Sequence, residues 1–111
     1  IDGFSLFHTQ AIEIGLKTAL ATNACKKTVD ITDSVLNLQQ YFGQHIYNRM
    51  SVSKPKPYPD LYLHAAQQLG IDPVACIAIE DSPTGLAAAK SAGMFCIGIN
   101  TAKKPLLLEQ A

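Results

Sequence analysis

Two kinds of apolar segment alternate along the 111 residues of the chain. From Phe4 to Gly15, apolar residues at Leu6, Phe7, Ala11 and Ile14 fall close to helical spacing and stop at a glycine, which predicts a helix. Leu16 to Ala21 is short, mostly apolar, and ends in the polar pair Thr22-Asn23, the pattern of a buried strand delivering polar groups at its C-terminal end. A second helix is predicted over Asp33–Phe42, with Val35, Leu36, Leu38 and Phe42 on its apolar side, and Ile46–Val52 is a weaker strand. Three prolines in Lys54-Pro55-Lys56-Pro57-Tyr58-Pro59 remove amide donors and favour extended backbone, so this stretch is a loop. A helix follows from Pro59 or Asp60 to Leu69, closed by Gly70. The continuous apolar run Val74–Ile79 predicts a buried strand ending in Glu80-Asp81. Ser82 is then suited to cap a helix over Pro83–Ala92, which Gly93 ends. Phe95–Ile99 predicts the last strand, and the residues from Pro105 onward one helical turn or a frayed end.

Strands and helices alternating through short connections predict right-handed βαβ units and a mainly parallel sheet, an α/β layer fold. The length suits one compact domain over residues 1–111, and 48% apolar residues suffice for a core. Charged residues make up only 16%, below the roughly 25% usual in soluble domains, so many positions are committed to burial. Nine basic and nine acidic side chains cancel, which leaves no electrostatic footprint for nucleic acid or an acidic membrane. The longest apolar run, Val74–Ile79, is too short to span a bilayer, and the N-terminal residues do not have the pattern of a signal peptide. Cys25, Cys76 and Cys96 are odd in number and widely spaced, which fits reduced thiols in a cytosolic protein, with Cys76 and Cys96 as small buried hydrophobes. His8, His45 and His64 show no ligand spacing and are expected on helix surfaces or in loops; Tyr41, Phe42 and Tyr47 are expected in the core or at its margin.

In an open parallel sheet, ligands bind at the C-terminal ends of the strands. Distinctive polar residues recur at that edge: Thr22-Asn23 after the first strand, Lys56 in a loop beyond the next, and Glu80-Asp81 closing the third. A hydroxyl, backbone amides and a lysine acting as a point charge are what a phosphoryl group needs. Adjacent carboxylates are hard oxygen ligands suited to Mg²⁺, which neutralises a phosphate and aligns it for in-line attack. Two other roles are open to the pair: general acid–base work, or a negative charge favouring the N-terminus of the following helix. Lys54 competes with Lys56, and Gly85 and Gly93 suit packing and helix termination better than phosphate binding.

Leu20-Ala21-Thr22-Asn23, Lys56-Pro57-Tyr58-Pro59-Asp60 and Ile79-Glu80-Asp81-Ser82-Pro83-Thr84-Gly85 resemble the second, third and fourth motifs of the haloacid dehalogenase (HAD) superfamily. The branch they resemble is that of the phosphatases and β-phosphoglucomutase-like enzymes. The resemblance implies a Rossmann-like parallel sheet flanked by helices, and Mg²⁺-dependent phosphoryl transfer on a small phosphorylated metabolite through an aspartyl-phosphate. Thr22 would bind the transferring phosphoryl group with the Asn23 amide beside it, Lys56 would neutralise the nucleophile and the phosphate, and Asp81, helped by Glu80, would hold Mg²⁺.

The family's first motif, Asp-x-Asp-Gly-Thr/Val, is not intact. Asp2-Gly3 invites a match, but too few residues separate it from Thr22, and the stretch from Gly3 better resembles the opening of the second half of the core. The resemblance therefore implies a partial core domain without its first, nucleophile-bearing strand and without a cap domain. The expected partner is the missing N-terminal segment of the same protein, which would fill the middle of the sheet, and the chain alone would be inactive. The alternative is a non-catalytic relative, a phosphate-binding or regulatory module that keeps the pocket without the nucleophile.

Overall fold

A computed structural model describes residues 3–99. Its elements run α1 (Phe4–Glu13), β1 (Leu20–Ala21), α2 (Lys26–Leu36), α3 (Gln39–Phe42), β2 (Ile46–Tyr47), α4 (Asp60–Leu69), β3 (Ile77–Glu80), α5 (Pro83–Ser91) and β4 (Phe95–Gly98), with single 3-10 turns at Arg49–Ser51 and Pro73–Ala75. The four strands form two parallel pairs. Leu20 and Ala21 of β1 lie opposite Ile46 and Tyr47 of β2, and Ile77 to Glu80 of β3 lie opposite Phe95 to Gly98 of β4. Among the described residues no ladder joins the two pairs. The helical turn expected from Pro105 lies outside the described residues.

Several elements differ from expectation for identifiable reasons. The helix expected over Asp33–Phe42 is two helices, and the first begins at Lys26. Asn37 takes a left-handed conformation (φ 51°) that ends α2, and the Asp33 carboxylate accepts hydrogen bonds from the Gln39 amide (3.1 Å) and side chain (3.0 Å). The expected strand over Ile46–Val52 stops at Tyr47, where Asn48 caps a 3-10 turn by accepting from the Met50 amide. The run from Val74 divides likewise: Asp72 caps a turn over Pro73–Ala75, and the strand starts at Ile77. Cys96 is buried as expected, whereas Cys76 is half-buried.

His8 is buried, contrary to the surface position expected of it. It shares a 2.8 Å hydrogen bond with Thr18 and stacks edge-on against Tyr41 and Phe42, with Phe4 beside it. The partners come from three separate segments and satisfy a polar ring that local spacing leaves exposed.

The main core lies between α4, α5 and the inner face of the β3–β4 pair. Tyr62, Ala78, Leu86, Ala88, Ala89, Ala92 and Cys96 cluster there, with Ala21 and Met94 packed against them. Alanines on α5 let the helix approach the sheet closely, and the period-two alternation of β3 turns Ala78 and Glu80 inward. The same alternation turns Ile77, Ile79, Phe95 and Ile97 outward, and Ile77 and Phe95 are 63% and 67% exposed. The bulky apolar residues of this sheet thus lie on the face away from its core, the reverse of the usual arrangement. None of the described helices is long and apolar enough to cross a membrane.

Candidate functional site

Parallel strands bring their C-terminal ends to one edge, and there the polar residues of β1, β3 and the proline-rich loop meet. Thr22 follows β1, and its hydroxyl accepts a 3.1 Å hydrogen bond from the Ala24 amide, which tightens the turn after the strand. The Asn23 side chain clamps the backbone of Lys56 from both directions. Its Oδ1 accepts from the Lys56 amide (2.9 Å), and its Nδ2 donates to the Lys56 carbonyl (3.1 Å). Lys56 sits in a loop whose Lys56–Pro57 peptide is cis, and this clamp joins that loop to the end of β1.

The Lys56 side chain turns inward. Nζ donates to the Ala21 carbonyl at 2.9 Å and to Glu80 Oε2 at 2.5 Å, and it stands over the Tyr62 ring, 4.9 Å from the centroid. Both charges are sequestered, with side-chain exposures of 9% for Lys56 and 8% for Glu80. An ion pair this buried is tolerable only when further polar contacts support it. Tyr62 supplies one through its hydroxyl, which donates to the same Glu80 Oε2, and Ser82 Oγ approaches Oε1 at 3.4 Å. Burial, reinforced by Glu80, pushes the Tyr62 hydroxyl far above the ordinary tyrosine range, so it remains a donor at any working pH. No buried side-chain polar atom among the described residues lacks a partner.

Two further local features shape this edge. Ser82 caps α5 by accepting from the Gly85 amide at 3.0 Å, as its sequence position predicts. Gly85 lies so close to the Glu80 carboxylate that a Cβ there would collide with it. Asp81, next in the chain, is exposed and makes no hydrogen bond or ion pair among the described residues.

The structure therefore brings Thr22, Asn23, Lys56, Glu80 and Asp81 to one edge but in different states. Asn23 and Glu80 have their side chains engaged, whereas Asp81 has no partner among the described residues. No group of three or more His, Cys, Asp or Glu side chains converges among the described residues. Mg²⁺ is commonly held by one or two carboxylates together with water and substrate phosphate, and the exposed carboxylate of Asp81, next in the chain to Glu80, fits that donor set. Glu80 Oε2 already accepts two donors, which leaves Asp81 as the more available ligand. Lys54, the competing lysine, instead lies 5.0 Å from the centroid of the Tyr58 ring. Sequence reasoning did not pick out Tyr62. The available signal was a tyrosine among the buried positions of α4, because a buried phenol needs a hydrogen-bond partner.

Comparison with known proteins places the chain in a family. The model of the haloacid dehalogenase-like hydrolases matches residues 8–93. A CBBY-like protein of Arabidopsis thaliana is 42% identical over 79% of this chain and 28% of its own length. The β-phosphoglucomutase of Bacillus subtilis is 46% identical over 49% of this chain and 24% of its own. A HAD family hydrolase from Deinococcus radiodurans, crystallised with bound phosphate and sodium, superposes with a TM-score of 0.89 at 34% identity, covering 100% of this chain and 52% of that one. The chain thus spans about half the length of that solved structure and less of the two curated relatives. With its paired parallel strands, its flanking helices and its polar edge, the chain belongs to the haloacid dehalogenase superfamily, on the branch of the phosphatases and β-phosphoglucomutase-like enzymes.

Proposed function

We propose that this chain forms the phosphate- and metal-holding part of a Mg²⁺-dependent phosphoryl-transfer enzyme, a phosphatase or phosphosugar mutase acting on a small phosphorylated metabolite in the cytosol. The observation that carries this reading is the buried Lys56 ammonium, held at the strand-end edge between the ends of β1 and β3, with the exposed Asp81 next in the chain to its partner Glu80. A charge placed there at the expense of desolvation fits a role in binding an anion.

In this reading Thr22 offers its hydroxyl, and the Asn23 backbone its amide, to the phosphoryl oxygens. Lys56 neutralises charge on the phosphoryl group and on an attacking carboxylate. Asp81, with Glu80 behind it, holds Mg²⁺. When bound, that ion offsets phosphate charge and fixes the line of attack. Asn23 and Glu80 keep Lys56 in place, so little reorganisation is required when substrate arrives. The nucleophilic Asp comes from a segment of the same protein upstream of Ile1. As a strand, that segment would pair with the edges of β1 and β3 that have no ladder partner among the described residues. Nucleophilic attack on the phosphorus forms the aspartyl-phosphate as the ester oxygen leaves, and an acceptor hydroxyl or water then takes the phosphoryl group.

The test is turnover by the full-length protein on a panel of phosphosugars and a generic aryl phosphate, with and without Mg²⁺. The expected result is Mg²⁺-dependent release or transfer of phosphate, lowered at least about 100-fold by Asp81→Asn. No turnover on any substrate, together with retained binding of inorganic phosphate, would favour the non-catalytic binding module instead.

A further inference from the structure

Tyr62 joins the core to the candidate site. Its ring is buried in the cluster with Ala78, Leu86 and Ala89, so the helix and sheet around it fix the direction of its hydroxyl. The hydroxyl ends on Glu80 Oε2, the oxygen that also receives Lys56, and the Lys56 ammonium stands over the same ring. One side chain therefore touches both members of the ion pair through two different interactions. Glu80 is confined elsewhere as well, by Ser82 on Oε1 and by Gly85, where no Cβ could fit.

We propose that Tyr62 is a positioning residue for Lys56: its hydroxyl fixes the Glu80 carboxylate and its ring receives the ammonium, so the packed core sets where the lysine charge stands. This deepens the reading of Lys56 as the cation that meets the phosphoryl group, and it rests on that reading for its catalytic consequence. Without the hydroxyl, Glu80 Oε2 keeps Lys56 as its principal donor. The carboxylate then gains rotamer freedom and draws the ammonium with it, away from the position it would hold against a phosphoryl oxygen. Misplacement of this kind acts on the chemical step more than on binding.

The test uses Tyr62→Phe in the full-length protein, which keeps the ring, its packing and its contact with the ammonium while removing one oxygen. Tyr58→Phe is the control, because Tyr58 is exposed, lies against Lys54 and makes no hydrogen bond to Glu80 among the described residues. The first readout is the side-chain ¹⁵Nζ resonance of Lys56, recorded without metal or substrate, where burial slows proton exchange. Tyr62→Phe is expected to shift or broaden that resonance and Tyr58→Phe to leave it in place. The second readout is steady-state kinetics, where Tyr62→Phe is expected to lower kcat about tenfold with KM within about twofold. A Lys56 resonance unmoved by Tyr62→Phe overturns the proposal, whatever turnover does. If the unmodified protein turns over no phosphate ester, the phosphoryl-transfer reading fails separately, and the resonance still decides whether Tyr62 positions Lys56.

Discussion

Glu80 and Asp81 are neighbours in sequence and carry the same functional group, yet they occupy opposite environments. Glu80 belongs to the inward-facing set of β3 and is buried against Lys56, Tyr62 and Ser82. Asp81 lies one residue past the strand, exposed and without a partner among the described residues. A paired acidic motif is thus divided by strand geometry into a charge already balanced within the protein and a charge left available. The balanced one organises the site, and the available one has capacity to take a ligand.

Breaking each side of the pair should produce different kinds of damage. Glu80→Gln leaves the Lys56 ammonium buried without a counter-charge, a change expected to cost about 3–5 kcal/mol of stability by denaturant titration. Adding Lys56→Met should recover much of that loss, because no isolated charge then remains in the interior. If the double variant were no more stable than Glu80→Gln alone, the buried pair would not be the source of the effect. Asp81→Asn should behave in the opposite way, with stability within about 0.5 kcal/mol of the parent and nearly all the loss in Mg²⁺-dependent turnover. A large fall in its unfolding midpoint would mean that Asp81 is structural after all.

A subtler test leaves both carboxylates in place. Gly85→Ala would push a methyl group into the Glu80 carboxylate, and overpacking of this kind is expected to cost about 2 kcal/mol. The smallest effect concerns reactivity, where the same contrast between open and buried groups reappears in the thiols. Hydrogen bonding from Thr28 holds the Cys25 thiol below its ordinary pKa, whereas burial pushes Cys76 and Cys96 up. Near neutral pH, Cys25 should therefore carry the larger thiolate fraction, and iodoacetamide with peptide mapping should find it modified first. Earlier labelling of Cys96 would show its segment opening more readily than its packing implies.

How much of this was legible in the sequence depended on whether the information was local. The helix over Asp60–Leu69 and the one beginning at Pro83 follow from proline, serine and glycine signals within a few residues, and the structure forms both. The start of α2 was not legible, because the helix lies mostly in solvent and Val29 is its one buried residue, so few apolar positions mark its first turns. Strand β1 is shorter than its apolar run, since regular pairing among the described residues reaches only Ile46 and Tyr47 on one side. The motif residues Thr22, Lys56, Glu80 and Asp81 could be gathered from their places after predicted strands. The division between Glu80 and Asp81, and the part Tyr62 plays in it, depends on contacts 18 to 24 residues apart in sequence. No local pattern encodes those.

The outward face of β3 and β4 matters beyond the native fold. Ile77, Ile79, Phe95 and Ile97 form a water-facing apolar surface on a regular parallel ladder, the kind of surface that nascent and partly assembled proteins show to holdase chaperones. While that face stays uncovered, cellular quality control has grounds to treat the polypeptide as unfinished. Its lifetime in the cell would then depend on how quickly the face finds cover, independently of any chemistry at the strand-end edge.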